Sequence, residues 1–422
     1  MCTDRRDFLR LSAGMAGATL LGSSMVHAQQ GSQPEAIRRL RRMTDNVVPI
    51  TPEERKARIA KAQKLMAEQK IDAIYLEPGS SMSYYTGMRW GTSERMFALV
   101  IPARGELAWV CPKFEEERAR ELIQMGSTDI RTWEEDESPY KRVAEIFKDR
   151  GVRTGTIGIE ERVRFFLYDG IRLAAPHLKF VSATPITAGC RMFKSPAELA
   201  LMQIANDITI VAYKATRDSM REGMTQGEFA GNCAAAFRAL GTSGGIFVSF
   251  GKYTAFPHGS STPQRLKEGD IVLMDGGCTL EGYESDITRT FVFGKPTDRQ
   301  RQIWGLEKKA QDAAFAAAKI GAPCEAVDAA ARKVIIDAGF GPDYKVPGLP
   351  HRTGHGIGLD GHEWTNFVRG NKTPIQPGMC FSDEPTIVIY GEFGIRLEDC
   401  LYVDQDGAKF FTKQSESIDQ PF

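Results

Sequence analysis

Ile271-Val272-Leu273-Met274-Asp275-Gly276-Gly277 and Glu284-Ser285-Asp286-Ile287-Thr288-Arg289-Thr290-Phe291-Val292-Phe293 are two apolar runs, each carrying acids, joined by a glycine-bearing link. Apolar runs of this length bounded by Gly read as buried strands, and the link is short enough for a hairpin. Folding back would bring Asp275 beside Asp286. Two carboxylates in a low-dielectric site repel, so one must take a proton or a cation must sit between them. The alternative is a pair of solvated turn acids.

The same device recurs downstream. Met379-Cys380-Phe381-Ser382-Asp383-Glu384-Pro385 and Gly394-Ile395-Arg396-Leu397-Glu398-Asp399-Cys400-Leu401 read as strands, and a turn at Tyr390-Gly391-Glu392 would face Glu384 toward Glu398. Arg396 and Glu398, two apart, share one strand face. Between the acid pairs lies His351-Arg352-Thr353-Gly354-His355-Gly356-Ile357-Gly358-Leu359-Asp360-Gly361-His362, three histidines amid glycines. Glycine gives backbone access rather than core volume, so packing alone is a weak reason for this cluster. Four carboxylates and one imidazole suit two divalent ions, Mn²⁺ first, with Zn²⁺ or Co²⁺ as alternatives. A bridging carboxylate pair would hold them about 3.5–4 Å apart.

Outward from these strands the pattern is helix–helix–strands, twice. Helices are expected over 196–221, 225–240, 298–319 and 323–338, the second opened by Thr225-Gln226-Gly227-Glu228, a capping box. Upstream, Thr51-Pro52-Glu53-Glu54 starts a helix running to about Gln69, and short strands such as Ile71–Leu76 and Thr156–Ile159 alternate with helices. Residues 29–50 read as a polar lead-in, and Thr184–Gly189 as a loop. The fold class is α/β (α+β), with an N-terminal domain at 29–185 and a catalytic domain at 186–422.

Lys+Arg and Asp+Glu both number 54, which favours neither nucleic acid nor an anionic membrane as partner. The eight cysteines are scattered without a CxxC pair, so neither a disulfide framework nor a zinc ribbon is expected. Residues 1–28 are laid out as an export signal: Arg5-Arg6-Asp7-Phe8-Leu9, a mild apolar run from Leu11 to Met25, then Val26-His27-Ala28. The arginine pair resembles a twin-arginine signal, which implies a periplasmic or secreted protein, off the membrane after cleavage.

Asp275, Ser285-Asp286-Ile287-Thr288-Arg289-Thr290, Gly354-His355-Gly356-Ile357-Gly358, Asp383-Glu384-Pro385 and Arg396-Leu397-Glu398-Asp399 together resemble the metallopeptidase family that contains prolidase, aminopeptidase P and methionine aminopeptidase. Phe256-Pro257-His258-Gly259 and His362-Glu363-Trp364 resemble its Xaa-Pro branch. The resemblance implies a creatinase-like N-terminal domain, a pseudo-symmetric "pita-bread" catalytic domain and a homodimer. It implies five metal ligands: Asp275 and Glu398 as bridges, Asp286 on one metal, His355 and Glu384 on the other. It makes Glu384 the general base acting on a water shared by the metals, His258 and His362 substrate-binding groups, and His351 and Arg396 orienting groups. The substrates implied are short proline-containing peptides, cleaved at the Xaa-Pro bond by a dipeptidase. The alternatives are an aminopeptidase P acting on longer peptides and, remotely, a non-catalytic binding module. Where the branch has Gly-Ile-Tyr after Glu-Pro, this sequence has Thr386-Ile387-Val388, so the tyrosine position is Val388, with Tyr390 nearby. Trp90 is an aromatic that a neighbouring subunit would lend to the site, or else simply core.

Overall fold

The computed structural model describes residues 33–125 and 129–422. The expected export signal, residues 1–28, lies outside the described residues. No helix among the described residues is long and apolar enough to cross a membrane.

The N-terminal domain is a six-stranded mixed sheet in the order Ile130–Trp133, Ala108–Pro112, Ala98–Pro102, Ala73–Leu76, Thr156–Ile159, Lys179–Ser182. Ala73–Leu76 is buried at every position because helices cover both faces. Side chains alternate along it. Ala73 and Tyr75 pack with Val143, Phe147 and Ile171, from helices Pro139–Asp149 and Phe165–Ala174. Ile74 and Leu76 pack with Ala62 and Met66 of helix Pro52–Gln69. That helix begins as the sequence predicts, with Thr51 accepting a hydrogen bond from the Glu54 amide.

The C-terminal domain is two helix pairs, each backing an antiparallel sheet. Pro196–Arg217 and Gln226–Leu240 back Ser243–Phe250, Ile271–Leu280 and Ile287–Val292. Asp298–Ala317 and Cys324–Asp337 back a five-stranded sheet that contains Gly354–Gly356, Cys380–Asp383 and Asp399–Asp404. Three of the four helices start with a complete capping box, at Ser195/Glu198, Thr225/Glu228 and Thr297/Gln300. The two halves join where the Glu398 amide donates to the Thr288 carbonyl at 3.2 Å and the Thr290 hydroxyl donates to the Arg396 carbonyl at 2.6 Å.

Two expectations are corrected. Residues 184–189 are not a loop. Thr184–Arg191 is a helix, and Ile186 and Cys190 join the core beneath helix Pro52–Gln69. The divide between domains therefore falls at 192–195 rather than at 185. Nor is the segment before residue 50 a free lead-in to the first domain. Ile37 and Ile50 are buried in the C-terminal core, and the Met43 amide donates to the Leu240 carbonyl.

Candidate metal centre

The first hairpin keeps one register from Thr279↔Glu284 to Val292↔Ile271. Asp275 pairs with Thr288, and Asp286 lies two residues before Thr288 on the same face. The crossing is tight: a Cβ on Gly277 would lie 1.9 Å from the Ser285 carbonyl oxygen, so only glycine fits there. The second hairpin is built alike. One register runs from Cys380↔Tyr402 to Asp383↔Asp399 and resumes at Thr386↔Arg396, leaving Glu384 opposite Glu398 at the interruption.

The structure brings all five sequence-predicted ligands to one place. His355 Nε2 lies 3.1 Å from Glu384 Oε1 and 3.7 Å from Asp286 Oδ2. Ligand atoms of Asp275, Asp286 and Glu398 cluster within 4.8 Å of one another, as do those of His355, Glu384 and Glu398. His355 Nδ1 faces the Gly356 carbonyl at 3.1 Å, which leaves Nε2 turned toward the acids.

Charge crowding here is severe. Burial, then the neighbouring Asp275, pushes the Asp286 carboxyl up to about 7. Burial and Asp286 push Glu398 well above the usual carboxylate range. Glu384 goes the other way: burial opposes ionisation, but the His355 hydrogen bond and charge outweigh it and hold Glu384 at about 2. Glu398 Oε1 is buried with no hydrogen-bond partner. An orphaned carboxylate oxygen among crowded acids and an imidazole nitrogen is the donor set that divalent cations satisfy. The residues present fit a two-metal centre.

Asp286 and Glu398 each belong both to a cluster containing His355 and to the one containing Asp275, whereas Asp275 belongs only to the latter. With two ions bound, Asp286 would be better placed than Asp275 to reach both, and Asp275 would serve one. Arg396 explains part of this: it pairs with Asp275 Oδ2, donates to Thr288 Oγ1 at 3.0 Å and reaches the Pro257 carbonyl at 3.2 Å.

Thr288 carries a role the sequence reading missed. Its hydroxyl lies 2.6 Å from Asp275 Oδ1 and 2.6 Å from Glu398 Oε2. Ser382 is a second such group, accepting from the His355 amide at 3.0 Å and donating to Glu384 Oε1 at 3.2 Å. The signal for both was strand alternation, since each sits two residues from a ligand.

The histidines divide by environment. The exposed His362 ring stacks on His355, centroids 3.8 Å apart and planes at 16°. Burial and the nearby His355 push His362 down to about 4. His351 meets Thr386 Oγ1 at 3.0 Å, and burial lowers it too. His258 is exposed and close enough to bear electrostatically on both His351 and His362. Beside His362 opens a cleft of about 220 Å³ between the domains, lined in part by Arg191, Arg352, Trp364 and Asn366. Val388 is fully buried in strand Thr386–Ile389, while Tyr390 is 55% exposed and rests on Phe256. Trp90 is half-buried against the N-terminal core, stacked on Phe97 at 4.3 Å.

Residues 200–405 match the model of Metallopeptidase family M24, and residues 58–193 that of the Creatinase/Prolidase N-terminal domain. An Xaa-Pro dipeptidase of Lactobacillus helveticus is 33% identical over 364 residues, covering 85% of this chain and 97% of its own. The chain belongs to the M24 metallopeptidase family. Among solved structures, the dipeptidase PepE of Mycobacterium ulcerans superposes with a TM-score of 0.80 at 31% identity, covering 88% of this chain and 98% of its own. A dipeptidase of Pyrococcus horikoshii gives 0.77 at 30%, covering 84% and 98%. The five carboxylate and imidazole groups that would hold metal in this metallopeptidase all come from its C-terminal domain.

Proposed function

We propose that this metallopeptidase is an Xaa-Pro dipeptidase, acting on short peptides with proline second. The observation that carries the reading is the convergence of Asp275, Asp286, His355, Glu384 and Glu398 beside a cleft that holds Arg352 and His362, the latter stacked on His355. Two divalent ions, Mn²⁺ first among them, would be held by those five residues and would supply Lewis acidity and an acidified water.

The chain's own groups do the rest. Glu384, held ionised and fixed by the Ser382 hydroxyl, is placed to accept the proton of the attacking water and pass it to the leaving nitrogen. His362, neutral above about pH 4, can donate a hydrogen bond to the oxygen that gathers charge at the scissile carbonyl. His258, exposed and electrostatically close to His351 and His362, is available to meet a substrate main chain. A proline amide has no N–H, so the site owes it no acceptor. Trp364, 47% exposed in the cleft beside His362, offers apolar surface for the ring.

Arg352 favours a dipeptide over a longer chain. Arg191 and Arg162 at the cleft are paired with acids, but among the described residues the Arg352 guanidinium donates only to the neutral Asn366 amide oxygen, at 2.7 Å. A free carboxylate one residue beyond the scissile bond would satisfy that guanidinium; the internal amide of a longer peptide would not. Export as a folded enzyme by the twin-arginine route to the periplasm completes the reading and rests on residues 1–28. Homodimerisation rests on the family resemblance.

The test is hydrolysis of an Xaa-Pro dipeptide and an Xaa-Pro-Yaa tripeptide by chelator-treated protein with and without Mn²⁺. Metal-dependent cleavage of the dipeptide is the expected result. Preference for the tripeptide would assign aminopeptidase P instead. Cleavage of neither by metal-loaded protein would overturn the proline reading.

A further inference from the structure

His362 lies on a short loop whose two acids are held by the other domain. Asp360 accepts from Ser80 Oγ at 2.6 Å, from Arg162 Nη1 at 2.8 Å and from Arg191 Nη2 at 2.6 Å. Glu363 pairs with Arg191 and with Lys194 Nζ at 3.0 Å. The same Glu363 accepts the backbone amides of Leu359 at 2.9 Å and Asp360 at 3.1 Å, so it ties its own loop into a closed turn. Ser80 and Arg162 belong to the N-terminal domain, Arg191 is the last residue of its final helix, and Lys194 lies in the divide. Arg191 is anchored in turn by Ser81 Oγ at 3.1 Å, which donates to Glu160 at 3.0 Å.

Burial makes this arrangement stiff. The side chains of Arg191, Lys194 and Glu363 are 8%, 1% and 5% exposed. Buried charges that lose a partner are costly, so the set tolerates one geometry only. A packing role alone could be filled by apolar side chains of similar volume. Here the charges instead bracket one exposed imidazole, with Asp360 two residues before it and Glu363 directly after.

We infer that Arg191 is a positioning residue: through Asp360 and Glu363 the N-terminal domain sets the place of His362 over His355 and so the width of the substrate cleft. The N-terminal domain thereby contributes to turnover without supplying a metal ligand. That His362 holds substrate rests on the dipeptidase reading; that Arg191 places it does not.

The test separates the two. In protein labelled with ¹⁵N-histidine, which carries only six histidines, the imidazole signals of His362 are assigned by loss in His362→Gln. Arg191→Met is expected to shift those signals in metal-free protein, whereas Arg118→Met, a surface control, leaves them in place. With Xaa-Pro dipeptide and Mn²⁺, Arg191→Met is expected to lower kcat/KM about tenfold, and Arg191→Lys to recover part of it. In a His362→Ala background the same Arg191→Met change is expected to cost less than about twofold, because its effect runs through His362. Unmoved His362 signals, or losses that simply multiply, would overturn the inference. If Arg191→Met does not fold, Arg162→Met, at a 55% exposed partner of Asp360, must shift the His362 signals in the same direction or the inference fails. Absence of dipeptide cleavage by the wild type would remove the substrate reading and leave the spectroscopic arm decisive.

Discussion

His362 lies face to face with His355, ring centroids 3.8 Å apart, and the two differ in the charge they can carry. His355 is drawn upward by Glu384 and Asp286 against its burial, while His362 is pushed down to about 4 by burial and by His355 itself. One ring is turned toward the acids and the other toward the cleft. Replacing His362 by Ala should lower kcat about a hundredfold, the usual scale for one lost stabilising donor. Metal content, read by elemental analysis, should be unchanged. Loss of metal along with activity would place His362 among the ligands.

Ligand removal should distinguish bridging from terminal acids. Asp275→Ala should retain about one metal per chain, and Asp286→Ala fewer, since Asp286 faces both clusters. Both should lose turnover. Equal stoichiometry in the two variants would contradict the bridging role given to Asp286.

Chelation should also show in stability. A cation that binds only the folded chain adds about 2.7 kcal/mol when present at a hundred times its dissociation constant. Thermal unfolding of chelator-treated protein should therefore shift upward on adding Mn²⁺, and the shift should vanish in Glu398→Ala.

Glu363 predicts a pH dependence outside the metal centre. Burial alone would raise its carboxyl, but Lys194 and Arg191 outweigh that and hold it at about 2, below the ordinary 4.5. A depressed carboxylate contributes stability that is fully present above 4.5 and is lost as pH falls toward 2. The contribution is about 3 kcal/mol. In chelator-treated protein, the gap in urea midpoint between wild type and Glu363→Gln should be widest at neutral pH and should narrow below pH 4. A constant gap would mean that Lys194 and Arg191 do not depress Glu363.

Arg352→Met should raise KM for an Xaa-Pro dipeptide about tenfold or more and leave an Xaa-Pro-Yaa tripeptide nearly untouched, because only the dipeptide places a carboxylate against the guanidinium. Equal losses on both substrates would assign Arg352 a structural part instead.

The metal centre was readable in the sequence because its logic is local. A strand alternates with period two and a hairpin fixes its own register, so Asp275 with Asp286 and Glu384 with Glu398 follow from short stretches. Which acid faces the other half of the domain is not local, so the approach of Asp286, rather than Asp275, to His355 does not follow from either hairpin alone. Thr184–Arg191 read as a loop because Thr, Pro and Gly are poor helix formers, yet Ile186 and Cys190 are drawn into the core against helix Pro52–Gln69. The hold on Asp360 was invisible for a plainer reason: Ser80 and Asp360 are 280 residues apart, and no pattern spans that distance. Val388 is a different case. The sequence marks it as unusual, and its full burial explains why a tyrosine could not be restored there without overpacking by roughly 1–3 kcal/mol.

The second hairpin carries one register on both sides of the interruption at Glu384 and Glu398. Its tip at Tyr390–Glu392 looks like an ordinary surface turn, the sort of place where insertions are tolerated. Yet its length is the calibration of an instrument whose jaws are two acids. A single added residue that slipped the pairing would turn one acid to the far face of the strand. The most exposed part of the hairpin is thus as fixed in dimension as the buried centre it measures out.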